Sequence, residues 1–127
     1  MEHNYLSKTV FPSNEKTILV EKDEDYGGAH KYSFIGSNGF KDGSAQYDFE
    51  NLQSIQFVQK NLDGSMTTGI QSEQLLIALI DRHKKLNAKF PSREGALAIT
   101  KMEEALHWLE ARIKERIDRN VMGDLKK

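Results

Sequence analysis

Cysteine is absent from the 127 residues, so neither disulfides nor thiolate chemistry is open to this chain. Proline occurs twice, and both positions read as stops: Pro12 within a polar Pro-Ser-Asn step, and Pro91 between two helical patterns. No apolar run approaches the roughly 18 residues that a bilayer span requires. The opening residues also lack the basic segment and apolar stretch of a secretory signal, so the expectation is a cytoplasmic protein with no membrane partner. Arginine is missing from the whole first half. Residues 1–69 carry six Lys, no Arg and ten acids, a net −4, whereas residues 70–127 carry seven Lys, five Arg and nine acids, a net +3. That balance is too mild for a protein held on DNA or RNA by its phosphates. It leaves room for a small anion, because the planar guanidinium fork suits bidentate contact with phosphate or carboxylate.

What is present is a modest apolar content of 38% beside 29% charged residues, the balance of a chain with a thin core. Thin cores are often completed by oligomerisation. Residues 1–14 read as irregular. Strand patterns then follow: the β-branched run at 17–20, the alternation of Tyr32 and Phe34, that of Tyr47 and Phe49, and Ile55 with Phe57 across 54–59. Asn38-Gly39, Asp42-Gly43 and Asp63-Gly64 read as tight turns. The sum is a small antiparallel sheet of three to five strands whose apolar face needs cover.

From Ile70 the period becomes helical. Ser72 reads as an N-cap with Glu73 in the first turn, and Leu75, Leu76, Leu79, Ile80, His83 and Leu86 follow until about Asn87. Ser92 is the next N-cap, and a second helix runs to about Arg119. Its stripe of Ile99, Met102, Leu106, Leu109, Ile113 and Ile117 has the spacing of a helix packed lengthwise on another. The short link makes an antiparallel hairpin. The expected fold is therefore α+β, with a β-rich region over 1–68 and a helical hairpin over 69–127.

Chemistry is sparse. There is no Gly-rich phosphate loop and no G-x-S-x-G, and the histidines lack metal spacing. Glu104 and His107 supply one half of a bundle di-iron motif with no second half, so no metal, no cofactor and no catalytic residue is expected. The strongest constellation is Arg112, Arg116 and Arg119, on one face of the second helix with Lys101 and Trp108 at its edge. It could clamp a phosphate beside a stacked base. Spacing alone favours the other reading, a solvated face with Glu115 pairing Arg119 or Arg112. Arg93 opens the second helix, where free amides could receive an anion or simply be capped.

One resemblance adds to this. Gly69-Ile70-Gln71-Ser72-Glu73-Gln74-Leu75-Leu76, then Ile80-Asp81-Arg82, Phe90-Pro91-Ser92-Arg93-Glu94, the run from Ala96 to Leu109, and finally Arg112, Arg116 and Arg119-Asn120-Val121-Met122-Gly123 follow one another in a specific order. That order resembles the helical hairpin shared by the Thoeris anti-defence sponges of phages and the related anti-CBASS sponges, and the β-rich first half is similar to the Thoeris type. The resemblance implies a non-enzymatic sponge in the host bacterial cytoplasm. It would sequester cyclic nucleotide immune signals (cyclic ADP-ribose isomers, with cyclic oligonucleotides as a second class) without cleaving them. It further implies a homo-oligomer, a dimer or higher with a hexamer among the options, with pockets at chain interfaces. Arg112 and Arg116 match the family's paired arginines, and Arg93-Glu94 matches the opening of its second helix. Gly95 and Leu86 stand where relatives place a pocket Asn and a pocket aromatic, and Phe90 could supply a substitute ring. The alternative from a different class is a helical protein-interaction module with no nucleotide ligand.

Overall fold

The computed structural model describes residues 3–6, 8–23 and 26–119. The chain divides into two compact units, Met1–Val58 and Gln59–Lys127.

The first unit is a four-stranded antiparallel sheet in the order β1-β2-β3-β4, built from β1 (His3–Tyr5), β2 (Ile18–Glu21), β3 (Lys31–Lys41) and β4 (Ser44–Gln56). Contrary to the irregular start expected, β1 pairs with β2 from His3↔Glu21 to Tyr5↔Leu19, and the Leu6 amide continues the ladder to the Ile18 carbonyl. Asp42-Gly43 is the β3–β4 turn, both residues with positive φ, as a two-residue hairpin turn of right-handed strands requires. Asn38-Gly39 is not a turn. It lies within β3, where the register slips so that Asn38 has no partner between Ser37↔Tyr47 and Gly39↔Gln46. Its turn-like chemistry serves a bulge instead, with Gly39 at φ 99°. The two short strands expected over 46–49 and 54–59 are largely one strand. β4 runs through both, and residues 49–51 are left out of register between Ile35↔Leu52 and Gly36↔Asp48. Backbone closeness explains Gly36 there: a Cβ would lie 3.1 Å from Asn51 atoms.

The core of this unit is small. Ile35 is its one buried apolar side chain among the described residues, with Thr17 and Ser33 also buried. Ser33 and Ser54 satisfy each other across β3–β4 at 2.8 Å, and Tyr32 meets Phe57 edge-on at 5.8 Å. At the β2–β3 connection both carboxylate oxygens of Asp23 accept backbone amides, from Tyr26 and Gly28.

The second unit holds the short ribbon β5 (Gln59–Lys60) and β6 (Met66–Thr67), then α1 (Ser72–Lys89) and α2 (Arg93–Asp118). α1 begins one residue earlier than its serine suggested. Gln71 is the N-cap, and the Gln74 side chain reaches back to accept the Gln71 amide at 2.8 Å. The Gln74 side chain thus satisfies the N-cap amide, and Ser72 is the first helical residue, not the cap. Ser92 caps α2 as expected, accepting the Gly95 amide at 2.9 Å. α1 also runs two residues past Asn87, because nothing before Pro91 interrupts it. The helices pack through Ile80 and Ile99, with Lys84 and Glu103 paired across them at 3.2 Å. The rest of the α2 stripe is only half-buried, and Ile117 at its end is exposed.

Candidate functional site: two ends of a helical hairpin

The expected site residues fall into two groups along α2. At the turn lie Leu86, Phe90, Arg93 and Gly95. Far along the helix lie Arg112 and Arg116. Arg93 and Arg112 are 19 positions apart, which at 1.5 Å of rise per residue is about 28 Å. The two groups of one chain therefore cannot grip one nucleotide-sized ligand together.

The turn group is organised by a residue the sequence did not single out. Asn87, in the last turn of α1, accepts the Ser92 amide through its Oδ1 at 3.0 Å. The same oxygen lies only 2.6 Å from where a Cβ on residue 95 would stand, with Ser92 Oγ at 2.9 Å. Gly95 is thus the residue that leaves room for an asparagine reaching over from the neighbouring helix. The only sequence signal for this was a helix-breaking glycine in the first turn of a helix, where Ala would otherwise be preferred. Around this knot Arg93, Leu86 and Phe90 are all exposed, Phe90 by 70%. Among the described residues no carboxylate pairs with Arg93.

At the far end the three arginines behave differently. Arg119 is held by Glu115, so the i,i+4 pair forms and the Arg112–Glu115 pair does not. Arg112 is exposed and has no carboxylate partner among the described residues. Arg116 is buried at 7% exposure and is engaged within the fold. A charged group seldom stays buried without partners. The row read from spacing as one face thus separates into a solvated pair, an open cation and an internal cation. Trp108 belongs to the outside of α2. It is 70% exposed and meets His107 edge-on at 5.6 Å, so it is not a core residue. Glu104 is drawn to Lys101 at 3.6 Å.

Along the same stretch of α2 runs a groove of about 340 Å³ between the helices, lined by Ile77, Leu106, Ile113 and Ile117 with Glu73, Glu110 and Lys114, and by none of the arginines. Ile77 and Ile117 are more than half exposed there. One oxygen of Glu73 is buried with no hydrogen-bond partner among the described residues. Among those residues no helix is long and apolar enough to cross a membrane, and no cluster of metal-ligating side chains forms.

The sequence of this unit has known counterparts. Residues 52–114 match the family pattern described as the Acb2/Tad1 hairpin domain. That stretch begins within β4 and takes in Leu86, Phe90, Arg93, Gly95 and Arg112, while Arg116 lies just beyond it. Over 56 residues the chain is 46% identical to a protein of Bacillus phage SBSphiJ7 named Thoeris anti-defense 1, an alignment that covers 43% of this chain and 39% of that relative. The match thus spans well under half of the relative's length. The helical hairpin of this chain is thus a domain of the Acb2/Tad1 hairpin kind.

Proposed function

We propose that the chain is a phage anti-defence sponge, which binds a cyclic nucleotide immune signal in the host bacterial cytoplasm and holds it without cleavage. The observation that carries this reading is Arg112, an exposed guanidinium with no carboxylate partner among the described residues, placed on the family's hairpin. An unpaired fork there is available to a phosphate or pyrophosphate. Arg116, one turn on, is the internal member of the pair, able to set the local field and hold the helix end. Arg93, with Leu86 and Phe90 exposed around the Asn87–Gly95 contact, makes a second receptive point at the turn.

Magnitudes favour assembly. Holding a scarce signal at nanomolar strength needs about −12 kcal/mol. A charged hydrogen bond contributes about 1.5–3 kcal/mol and a stacked base about 1–3 kcal/mol, against roughly 4–15 kcal/mol of lost freedom. One arginine group falls short, and the two groups of one chain lie too far apart to combine. Either each end is a separate pocket for a different ligand class, or copies of the chain bring the groups together. The half-exposed floor of the interhelical groove supports a homo-oligomer, because Ile77 and Ile117 are apolar surface that a second copy would cover.

The test is to incubate the protein with a panel of cyclic ADP-ribose isomers and cyclic di- and trinucleotides, remove unbound ligand, heat the protein and assay what is released. Intact ligand is the expected result. Altered ligand would make the chain an enzyme. Depletion of no ligand would favour the second reading, a helical interaction module, for which the same apolar groove would be the docking surface.

A further inference from the structure

Trp108 is the one tryptophan of the chain, and packing between the helices does not account for it. The interhelical groove takes Leu106, Ile113 and Ile117 from α2. At about 100° per residue, Trp108 lies about 140–180° round the helix from all three. It is 70% exposed there. Its surroundings keep the ring bare. The neighbours of a residue on a helix surface are those three and four positions away. Ala105 and Ala111, three before and three after, carry only methyl groups. Glu104, four before, is drawn to Lys101 at 3.6 Å. Arg112, four after, is exposed with no carboxylate partner among the described residues. Glu115, three beyond Arg112, is held by Arg119. Both carboxylates beside the indole thus have cations of their own, and one guanidinium is left over a single turn away. The edge-on contact with His107 at 5.6 Å occupies at most one face of the indole, so the other stays open.

We propose that Trp108 is the stacking platform for a base of the captured nucleotide, with Arg112 on the adjoining phosphate. A nucleotide offers what this pair asks for: a flat π-surface and an anion, separated by one sugar. Side chains at i and i+4 start about 5–6 Å apart at Cβ, and both of these are long, so one nucleotide can span them. A cation over the indole is disfavoured by Arg112 beside it, whereas an anion that carries a flat ring satisfies both groups. The two-ring indole has the area to cover the two rings of a purine, so the ligand class is a purine nucleotide. Arg112 alone would hold free phosphate as readily as a nucleotide, and the stacked base is what separates them. This inference rests on the sponge reading and adds to it the residue that recognises the base, on the outer face of α2 and apart from the turn group.

Because no other tryptophan is present, tryptophan emission reports this ring alone. The full-length protein is titrated with cyclic ADP-ribose isomers, with cyclic di- and trinucleotides and with inorganic pyrophosphate while that emission is followed. The captured nucleotide should quench it saturably, over the same concentrations at which uptake saturates. Pyrophosphate has no base and should leave it unchanged. Trp108→Tyr keeps a ring and should bind within about fivefold of the wild type. Trp108→Leu keeps apolar bulk without the ring and should bind about 5- to 140-fold more weakly. Both variants should unfold as the wild type does, as expected for an exposed position. Emission that does not move on uptake, equal quenching by pyrophosphate, or Trp108→Leu binding as tightly as Trp108→Tyr overturns the stack. Uptake of intact ligand that still depends on Arg112 would then leave the sponge reading standing. No uptake of any nucleotide removes both.

Discussion

Replacing Gly95 by Ala should reveal whether Asn87 governs the turn end of the hairpin. In an ordinary helix the change stabilises by about 0.8–1 kcal/mol, through backbone entropy. Here the new methyl would stand 2.6 Å from Asn87 Oδ1 and 2.9 Å from Ser92 Oγ. Asn87 must swing away and release the Ser92 amide, at a cost of about 0.5–1.5 kcal/mol for that bond. Ser92 Oγ must shift while capping the Gly95 amide, and losing an N-cap altogether costs about 1 kcal/mol. The terms sum to a net destabilisation of about 1 kcal/mol, opposite in sign to the usual effect. In an Asn87→Ala background the closest contact no longer exists, so the same Gly95→Ala change should lose most of its penalty. The coupling expected in the double-mutant cycle is about 1 kcal/mol. Urea unfolding followed by helical circular dichroism, at one fixed protein concentration, measures it. If Gly95→Ala stabilises the wild-type protein and the Asn87→Ala protein equally, Asn87 is not what the glycine accommodates.

The far end of α2 yields further expectations. Arg112→Ala should abolish uptake in the ligand panel with unfolding unchanged within about 0.5 kcal/mol, as for an exposed side chain; retained uptake removes it from the pocket. Arg116→Ala should behave differently, lowering stability by about 1.5–3 kcal/mol because a buried charged donor is lost, which denaturant unfolding will show. Ile117→Asp should lower the oligomer mass in analytical ultracentrifugation if the interhelical groove is covered by a second copy. Hydrogen bonds from the Ser65 hydroxyl and amide hold the Asp63 carboxyl below its ordinary value of 3.8. Its small contribution to the β5–β6 turn is therefore present above that value and lost as pH falls through the lower folded one, which carboxyl chemical shifts will follow.

Much of the helical unit was legible because its signals are local. The 3-and-4 spacing of the α2 stripe, the Ser92 cap and the stop at Pro91 act within a few residues, and the structure places α2 within a residue of the expectation. The sheet was less so. Gly and Asn at 38–39 carry the same φ preference in a bulge as in a turn, and only pairing across the ladder distinguishes them. His3–Tyr5 has no strand pattern of its own and is held by β2. At the site, spacing put three arginines on one face but could not tell which would be covered. That depends on the surroundings of each one, which leave Arg112 open and Arg116 inside. Asn87 was invisible for the same reason: its role lies in the space above a residue eight positions away, on another helix.

The distribution of burial bears on the proposed assembly of copies. Among the described residues only Ile35, Ile80 and Ile99 are buried apolar side chains, whereas Phe40, Leu62, Phe90, Trp108 and Ile117 are each at least 60% exposed. A single copy therefore leaves outside much of the apolar surface that would stabilise it, at about 25 cal/mol per Å² of surface covered. Self-association through such surface makes folding and site assembly one equilibrium. A ligand that bridges two copies then stabilises the whole protein by mass action, not merely the residues it touches. The measurable consequence is a thermal midpoint that rises with protein concentration, and rises further with the captured nucleotide by an amount that shrinks in Arg112→Ala. A midpoint indifferent to concentration over a hundredfold range would mean that the exposed apolar side chains stay in water, and that whatever binds at Arg112 binds to one chain alone.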